Sequence, residues 1–361
     1  MSLKKYKFKL NNHRTQSVIV GDGSLDYLIS IIRSSCYSKV LFLIDKKVYS
    51  SHYKKLVQLY HRIKISKNLI IFPISRAKSI NSLLAILRHY EKSKLDRKSC
   101  IVAIGGGRIS DIAGLAAAIY FRGIDFIQVG TTFMTQADAI IGKVAIDLCS
   151  RKNLIGNFSS PVLTICDTKF LQTNSDLDIK NGLIEVIKHG LISSKTELNK
   201  VEGSIYHNKE NLKNLPFDYL IYKSLKIKSH FVARDFYDNK NIHNHLSYGH
   251  TIANALEELT KYGLKHGQAV SIGMRICAEY AKRVGLIKKS FFERHNRLIE
   301  SIFKFYIPKK ASIPDIIRHL EKDKMSVGGK IRMVLLKDIG NVTLKNISPK
   351  ILATCLKKFY R

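Results

Sequence analysis

The sequence predicts an α/β domain built on a parallel sheet over residues 1–175, followed by a mostly α-helical domain over residues 176–361. Three observations lead there. Short apolar runs alternate with helical patterns through the first half. After about residue 175 the alternation gives way to helical periodicity. A glycine triplet, Gly105–Gly106–Gly107, joins one of the apolar runs to a helical pattern. Apolar strands without polar alternation are buried on both faces, which is the signature of a parallel sheet covered by helices on either side, a Rossmann-like layout.

The elements follow in order. Val40–Leu41–Phe42–Leu43–Ile44 reads as a buried strand, as do Leu69–Ile70–Ile71–Phe72, Ile101–Val102–Ala103–Ile104, Phe126–Ile127–Gln128–Val129 and Leu163–Thr164–Ile165. Helical patterns cover 25–34, 51–63, 79–93 and 109–120. In the second half, 178–194, 215–234, 250–262, 267–285 and 290–304 carry the 3.6-residue period. Ile331 to Leu336 is the one later segment that reads as extended. A cleft between two such domains is a common place for a cofactor and a substrate.

Charge is the unusual part of the composition. Lys and Arg total 61 against 28 Asp and Glu, a formal net charge of +33. The basic residues are spread along the whole chain, and no nucleic-acid-binding signature accompanies them, so a nucleic-acid partner is not expected. A general positive field favours an anionic, phosphorylated small molecule. The six cysteines stand far apart without a CxxC pair, as buried thiols in a reducing compartment do. The first residues lack the apolar stretch of a signal peptide, and the longest apolar run, Ile112 to Phe121, is too short for a bilayer. A cytoplasmic protein with no membrane partner is the expectation.

Glycines at a strand end let a backbone approach a pyrophosphate, and the following helix start offers free N–H groups. Gly105–Gly107 has that character but not the Gly-x-Gly-x-x-Gly spacing, so a tight turn without a ligand remains an equal reading. Asp45, ending an earlier strand, could hold a ribose hydroxyl or simply cap a helix. Glu185, His250 and His266 could form a His₂Glu metal set with an open position. Glu185 sits among aliphatic neighbours on a helix, and each histidine opens a helix. Most histidines are surface residues or caps, which is the plainer reading of these two. Lys188 lies one turn beyond Glu185. The pair is either a solvated ion pair or a ligand beside a phosphate-holding cation.

Taken in order, several segments resemble the 3-dehydroquinate synthase family and its sister sugar-phosphate cyclases, 2-deoxy-scyllo-inosose synthase among them. They are Gly105–Gly107 with Asp111, Arg122–Gly123, Thr131–Thr132, Asp138, Lys143, and Lys152–Asn153–Leu154–Ile155–Gly156. Asp167–Thr168, Glu185–Val186–Ile187–Lys188, Gly249–His250–Thr251 and His266–Gly267–Gln268 complete the set. The resemblance implies an NAD-binding domain followed by a helical metal-binding domain. It implies NAD contacts from Asp45, Gly105, Gly106, Gly107, Asp111, Thr131, Thr132, Lys152 and Thr168. It implies zinc or cobalt on Glu185, His250 and His266. It sets Asp138, Lys143, Asn153, Lys188, Lys228, His243 and Ser247 around a sugar phosphate, with Lys324 a further phosphate contact. Arg122 would serve the neighbouring subunit's site, which implies a homodimer. The implied reaction eliminates phosphate and closes a carbocycle, with NAD recycled within each turnover. In that family it belongs to the shikimate pathway of aromatic amino acid biosynthesis.

The departures fall in the substrate-binding segments. The run from Asp138 to Lys143 is shorter than is usual in the family. His243 stands where the family carries an Arg for the substrate carboxylate, Ser247 where it carries Asn, and Asn254 where it carries a second His. Ser75 replaces the usual Glu ahead of Lys78. Tyr248 before Gly249–His250 is a feature of the sister cyclases. Besides a sister cyclase, the alternatives are a metal-dependent polyol or glycerol-phosphate dehydrogenase and a non-catalytic degenerate homologue.

Overall fold

The computed structural model describes residues 3–10, 14–73, 78–138, 141–149, 151–304, 306–323, 325–326 and 328–360. The chain forms two compact units. One comprises Met1–Ser175 with Pro216–Tyr237, and the other Asp176–Leu215 with Asp238–Arg361.

The first unit is built on strands β1 (Lys4–Lys9), β2 (Thr15–Val20), β3 (Lys39–Asp45), β4 (Ser66–Phe72), β5 (Cys100–Gly105), β6 (Asp125–Gly130), β7 (Val144–Leu148), β8 (Arg151–Asn157) and β9 (Leu163–Cys166). Seven of them form one sheet in the order β1-β2-β9-β6-β5-β3-β4. Every pairing in that sheet is parallel except β1 with β2. The five apolar runs read from the sequence are β3, β4, β5, β6 and β9. Alternate residues of β3 serve opposite cores: Val40, Phe42 and Ile44 face one, and Leu41 and Leu43 the other. Leu28, Ile32, Leu56 and Leu59, from helices Tyr27–Ser34 and Tyr53–Arg62, cover the first face. Leu83 and Ile86 of helix Ile80–Lys92, with Ile112 and Ala116 of helix Gly107–Ile119, cover the second. Each such fully buried Leu, Ile, Val or Phe side chain contributes about 1.5–3 kcal/mol.

This covering fixes where the sheet opens. From β3 the chain steps to β4 on one side, then crosses to β5 on the other side of β3. The helix after β3 and the helix after β5 therefore lie on opposite faces, and their connecting loops diverge. Such a switch point leaves a crevice at the carboxyl ends of the two strands, where α/β sheets bind ligands.

Helix Phe217–Arg234 belongs with the sheet, although periodicity along the chain groups it with the helical half. Long-range packing decides its place. Phe217 lies edge-on to Phe133 at 5.0 Å between ring centroids, and Tyr222 edge-on to Tyr6 at 5.5 Å. Lys228 goes with it into the first unit.

The second unit gathers around helix His266–Arg283, of which every residue from Gly267 to Ala281 is buried. Helices Asp176–Ser193, His250–Leu259, Lys289–Glu300 and Pro349–Lys357 pack on it, as does β10 (Arg332–Asp338). The extended segment expected at 331–336 is thus β10, hairpinned with β11 (Asn341–Asn346). Among the described residues, no helix is long and apolar enough to cross a membrane.

Candidate active site

In the second unit three glycines bring the helix starts together. Gly249 adopts φ +81°, a left-handed turn that a side chain would strain. A Cβ on Gly273 would stand 2.1 Å from the Gly249 carbonyl oxygen, so the helices opened by His250 and His266 meet backbone to backbone. A Cβ on Gly267 would stand 2.6 Å from Asn181 Cα, which draws the start of that helix onto helix Asp176–Ser193. Glu185 lies one turn beyond Asn181 on the same helix.

The outcome is a convergent donor set. Glu185 is fully buried, and its Oε1 lies 3.4 Å from His266 Nε2 and 3.7 Å from His250 Nε2. One donor atom from each of the three residues falls within 4.8 Å of the others. Lys188, itself 2% exposed, forms an ion pair with Glu185 Oε2. Burial opposes the charge of Glu185, yet Lys188, His250 and His266 hold its carboxyl well below the ordinary range. Burial also opposes the charge of His266, but hydrogen bonds to Glu185 and Glu257 raise it to about 10. Both oxygens of Glu185 are buried, one facing the two imidazole Nε2 atoms and the other facing Lys188. A buried carboxylate facing two imidazole Nε2 atoms suits a divalent ion with an open coordination position. The solvated reading of Glu185–Lys188 is therefore set aside.

In the first unit the glycine turn lies at the switch point, with Asp45 ending the neighbouring strand. A Cβ on Gly105 would stand 2.8 Å from the Ile109 side chain, and one on Gly106 3.3 Å from Thr132. Thr131 N donates to Gly105 O at 3.1 Å. Gly105, Gly106, Gly107, Thr131 and Thr132 thus form one ledge. Thr132 caps the helix after β6, and the buried Thr131 hydroxyl has no hydrogen-bond partner among the described residues. Asp45 Oδ1 accepts from the amides of Lys47 and Val48, so the helix-cap reading holds for that oxygen.

A second cluster surrounds Lys78, which is 8% exposed. Its ammonium is 2.5 Å from Asp111 Oδ2, bonds the Asn153 side-chain oxygen, and lies 3.9 Å from Asp147 Oδ1. Burial raises the Asp111 carboxyl, with Lys78 acting against it. Asn153, at φ +54°, donates its amide to Asp147, and exposed Lys152 precedes it on β8. Asp111 and Asn153, expected at cofactor and substrate respectively, therefore share one cation. Lys78 itself was noted in the sequence only as a neighbour of Ser75, which lies outside the described residues, as does Lys324.

Elsewhere in this unit, Lys228 pairs with Asp138 at 2.7 Å. Lys143 lies over the Phe158 ring at 5.8 Å, and Thr168 donates to Asp218 at 2.8 Å. Arg122 is not gathered with the rest. It precedes β6, at the opposite end of the strands from the glycine turn, and is exposed in a turn where Phe121 and Arg122 have φ +50° and +66°. In the second unit, His243 and Ser247 form a short 3₁₀ segment ahead of Tyr248.

Fold and site together define a protein with a doubly covered parallel sheet, a glycine ledge at its switch point, and a buried His₂Glu donor set. The family description "3-dehydroquinate synthase N-terminal" matches residues 68–181, and "3-dehydroquinate synthase C-terminal" matches residues 182–326. The 3-dehydroquinate synthase of Endomicrobium trichonymphae is 30% identical over 345 residues, spanning 95% of each chain. The chain belongs to the 3-dehydroquinate synthase family. Among solved structures, 2-deoxy-scyllo-inosose synthase complexed with carbaglucose-6-phosphate, NAD+ and Co2+ shares the fold with TM-score 0.85 and 23% identity, covering 99% of this chain and 100% of that one. The 2-epi-5-epi-valiolone synthase of Streptomyces hygroscopicus subsp. jinggangensis, with NAD+ and Zn2+ bound, aligns with TM-score 0.86 and 20% identity over 98% and 99% of the two chains.

Proposed function

We propose that this chain is an NAD- and divalent-metal-dependent sugar-phosphate cyclase of the 3-dehydroquinate synthase type, a carbon–oxygen lyase acting on a phosphate. The convergent set of Glu185, His250 and His266 carries the reading. Those residues would hold zinc or cobalt. NAD is assigned to Asp45, the Gly105–Gly107 turn, Asp111, Thr131, Thr132, Lys152 and Thr168. Substrate contacts are assigned to Asp138, Lys143, Asn153 and Lys228 of the first unit, and to Lys188, His243 and Ser247 of the second. The bound ion supplies Lewis acidity toward substrate hydroxyls, and NAD supplies a hydride acceptor that is regenerated in the same turnover.

The protein's own groups do the rest. The glycine ledge lets backbone approach a pyrophosphate, and the helix start at Gly107 offers it N–H groups. Lys228 of the first unit and Lys188 of the second are each assigned to offset substrate charge. Asp138 and Glu185 hold those two ammonium groups in place. Arg122, remote from the rest of its own site, is assigned to the site of a second subunit in a homodimer. A phosphorylated sugar substrate, no membrane partner and a cytoplasmic setting complete the proposal.

Two substrate classes compete. Relatives that are 3-dehydroquinate synthases favour a seven-carbon acid phosphate. His243 in place of an Arg favours a sugar phosphate without a carboxylate, as in a 2-deoxy-scyllo-inosose synthase. The test is phosphate release with NAD and Co2+ from 3-deoxy-D-arabino-heptulosonate 7-phosphate, glucose 6-phosphate and sedoheptulose 7-phosphate. Release from the first without net NADH is expected. Release from another reassigns the substrate, net NADH marks a dehydrogenase, and no release from any overturns the cyclase.

A further inference from the structure

We infer that Glu257 is a positioning residue of the metal site, holding the His266 ring so that Nε2 is its metal-facing nitrogen. The inference rests on reading Glu185, His250 and His266 as metal ligands. Glu257 is 4% exposed on helix His250–Leu259, two turns beyond His250. Its Oε1 lies 3.5 Å from His266 Nδ1, while Nε2 of the same ring faces Glu185 at 3.4 Å. The two carboxylates thus take opposite edges of one imidazole. A carboxylate behind a ligating histidine fixes its tautomer, restrains ring rotation and strengthens the donor nitrogen.

The other histidine is held differently. His250 Nδ1 lies 3.3 Å from the backbone carbonyl of Tyr248, a neutral acceptor. The Tyr248 ring is fully buried, with its hydroxyl 3.0 Å from His295 Nε2 and 3.3 Å from Met274 O. That carbonyl is therefore fixed by a locked side chain. Each ring has its Nδ1 engaged and turns Nε2 toward Glu185, and behind His266 stands the carboxylate of Glu257. A substitution at Glu257 should consequently act on His266 and leave the His250 arm intact.

The experiment titrates the metal-free, full-length protein with Co2+, reading affinity by equilibrium dialysis and ligand geometry by visible absorption. Glu257→Gln, Glu257→Ala and the control Glu258→Gln are compared with the parent. Glu258 pairs with His319 at 3.0 Å. Affinity should fall about 10- to 100-fold in Glu257→Ala, less in Glu257→Gln, with an altered spectrum in both, and stay unchanged in the control. Melting of the metal-free proteins separates folding from metal binding. Should both Glu257 variants bind Co2+ with parental affinity and spectrum, or should Glu257→Gln lower only the melting temperature, the inference is overturned. Should the parent itself bind no Co2+, the metal-site reading fails first and takes this one with it.

Discussion

Lys78 Nζ lies 2.5 Å from Asp111 Oδ2, and the same ammonium bonds the side chain of Asn153. One buried cation thereby joins helix Gly107–Ile119 to the β7–β8 hairpin, and two residues expected at different ligands, Asp111 and Asn153, meet on it.

Removing that cation should expose the arrangement. Lys78→Met leaves Asp111 short of its countercharge, and the cost should be about 2–3 kcal/mol, below the range for fully buried pairs because Asp111 keeps some solvent contact. Lys78→Met combined with Asp111→Asn should regain much of that. Urea unfolding of both variants measures it, and an unmoved midpoint in the single variant would refute the role.

His250→Ala should abolish tight Co2+ or Zn2+ binding and lower phosphate release by at least about 100-fold, in keeping with loss of a ligand from a three-residue set. His250 also helps hold the buried Glu185 charge, so the metal-free variant should lose about 1–3 kcal/mol of stability. Metal analysis after dialysis decides it; a fully metallated variant removes His250 from the site.

Gly273→Ala tests the close helix contact. Its Cβ has nowhere to go but into the Gly249 carbonyl. Backbone must shift, at a cost of about 3 kcal/mol or more. Because Gly249 immediately precedes His250, Co2+ affinity should fall in the same variant. Parental stability and affinity together would show that the helices separate at little cost.

The fold was legible where local pattern and burial agree. β3 and β5 carry unbroken apolar runs, and β6 and β9 are interrupted only by the buried Gln128 and Thr164, because both faces of the sheet are covered. β1 was not legible: Lys4, Lys5, Lys7 and Lys9 alternate with Tyr6 and Phe8 on a sheet edge, where charge is expected. The β7–β8 hairpin was missed because Arg151, Lys152 and Asn153 are exposed on β8. The helix Phe217–Arg234 was found, but its partners, Tyr6, Phe133, Asp138 and Thr168, lie fifty or more residues away in sequence from the groups they meet, beyond the reach of periodicity. Of the candidate site, aliphatic context and helix starts left Glu185, His250 and His266 open between a metal set and plain caps, and it was the family resemblance that grouped them. Glu257 was not legible, though its place seven residues after His250 puts it on the same face of one helix. Lys78 carried no local signal, since its partners are brought to it by the fold.

Acid should weaken the protein through His295. Burial lowers this ring to about 4, against an ordinary value near 6.5. The unfolded chain therefore binds a proton between those values that the folded chain refuses. Stability is unaffected above about pH 6.5, falls as pH drops toward 4, and loses on the order of 3 kcal/mol from this group. Urea midpoints from pH 7 to 4 should fall less steeply in His295→Gln. Parallel curves would rule the ring out as the cause.

Because residues 216–237 complete the sheet-bearing unit while 176–215 belong to the other, the chain passes between units three times. During synthesis the first unit must therefore wait for residues made after the second has begun. Neither half can be cut out as one uninterrupted stretch: a fragment ending at residue 175 lacks the helix that packs on β1, and one beginning at 176 carries that helix without its partner. Dissection of this protein would need a fragment pair or a gene that splices residues 1–175 to 216–237, and a ribosome-bound chain should gain protease resistance in the sheet only after Tyr237 has emerged.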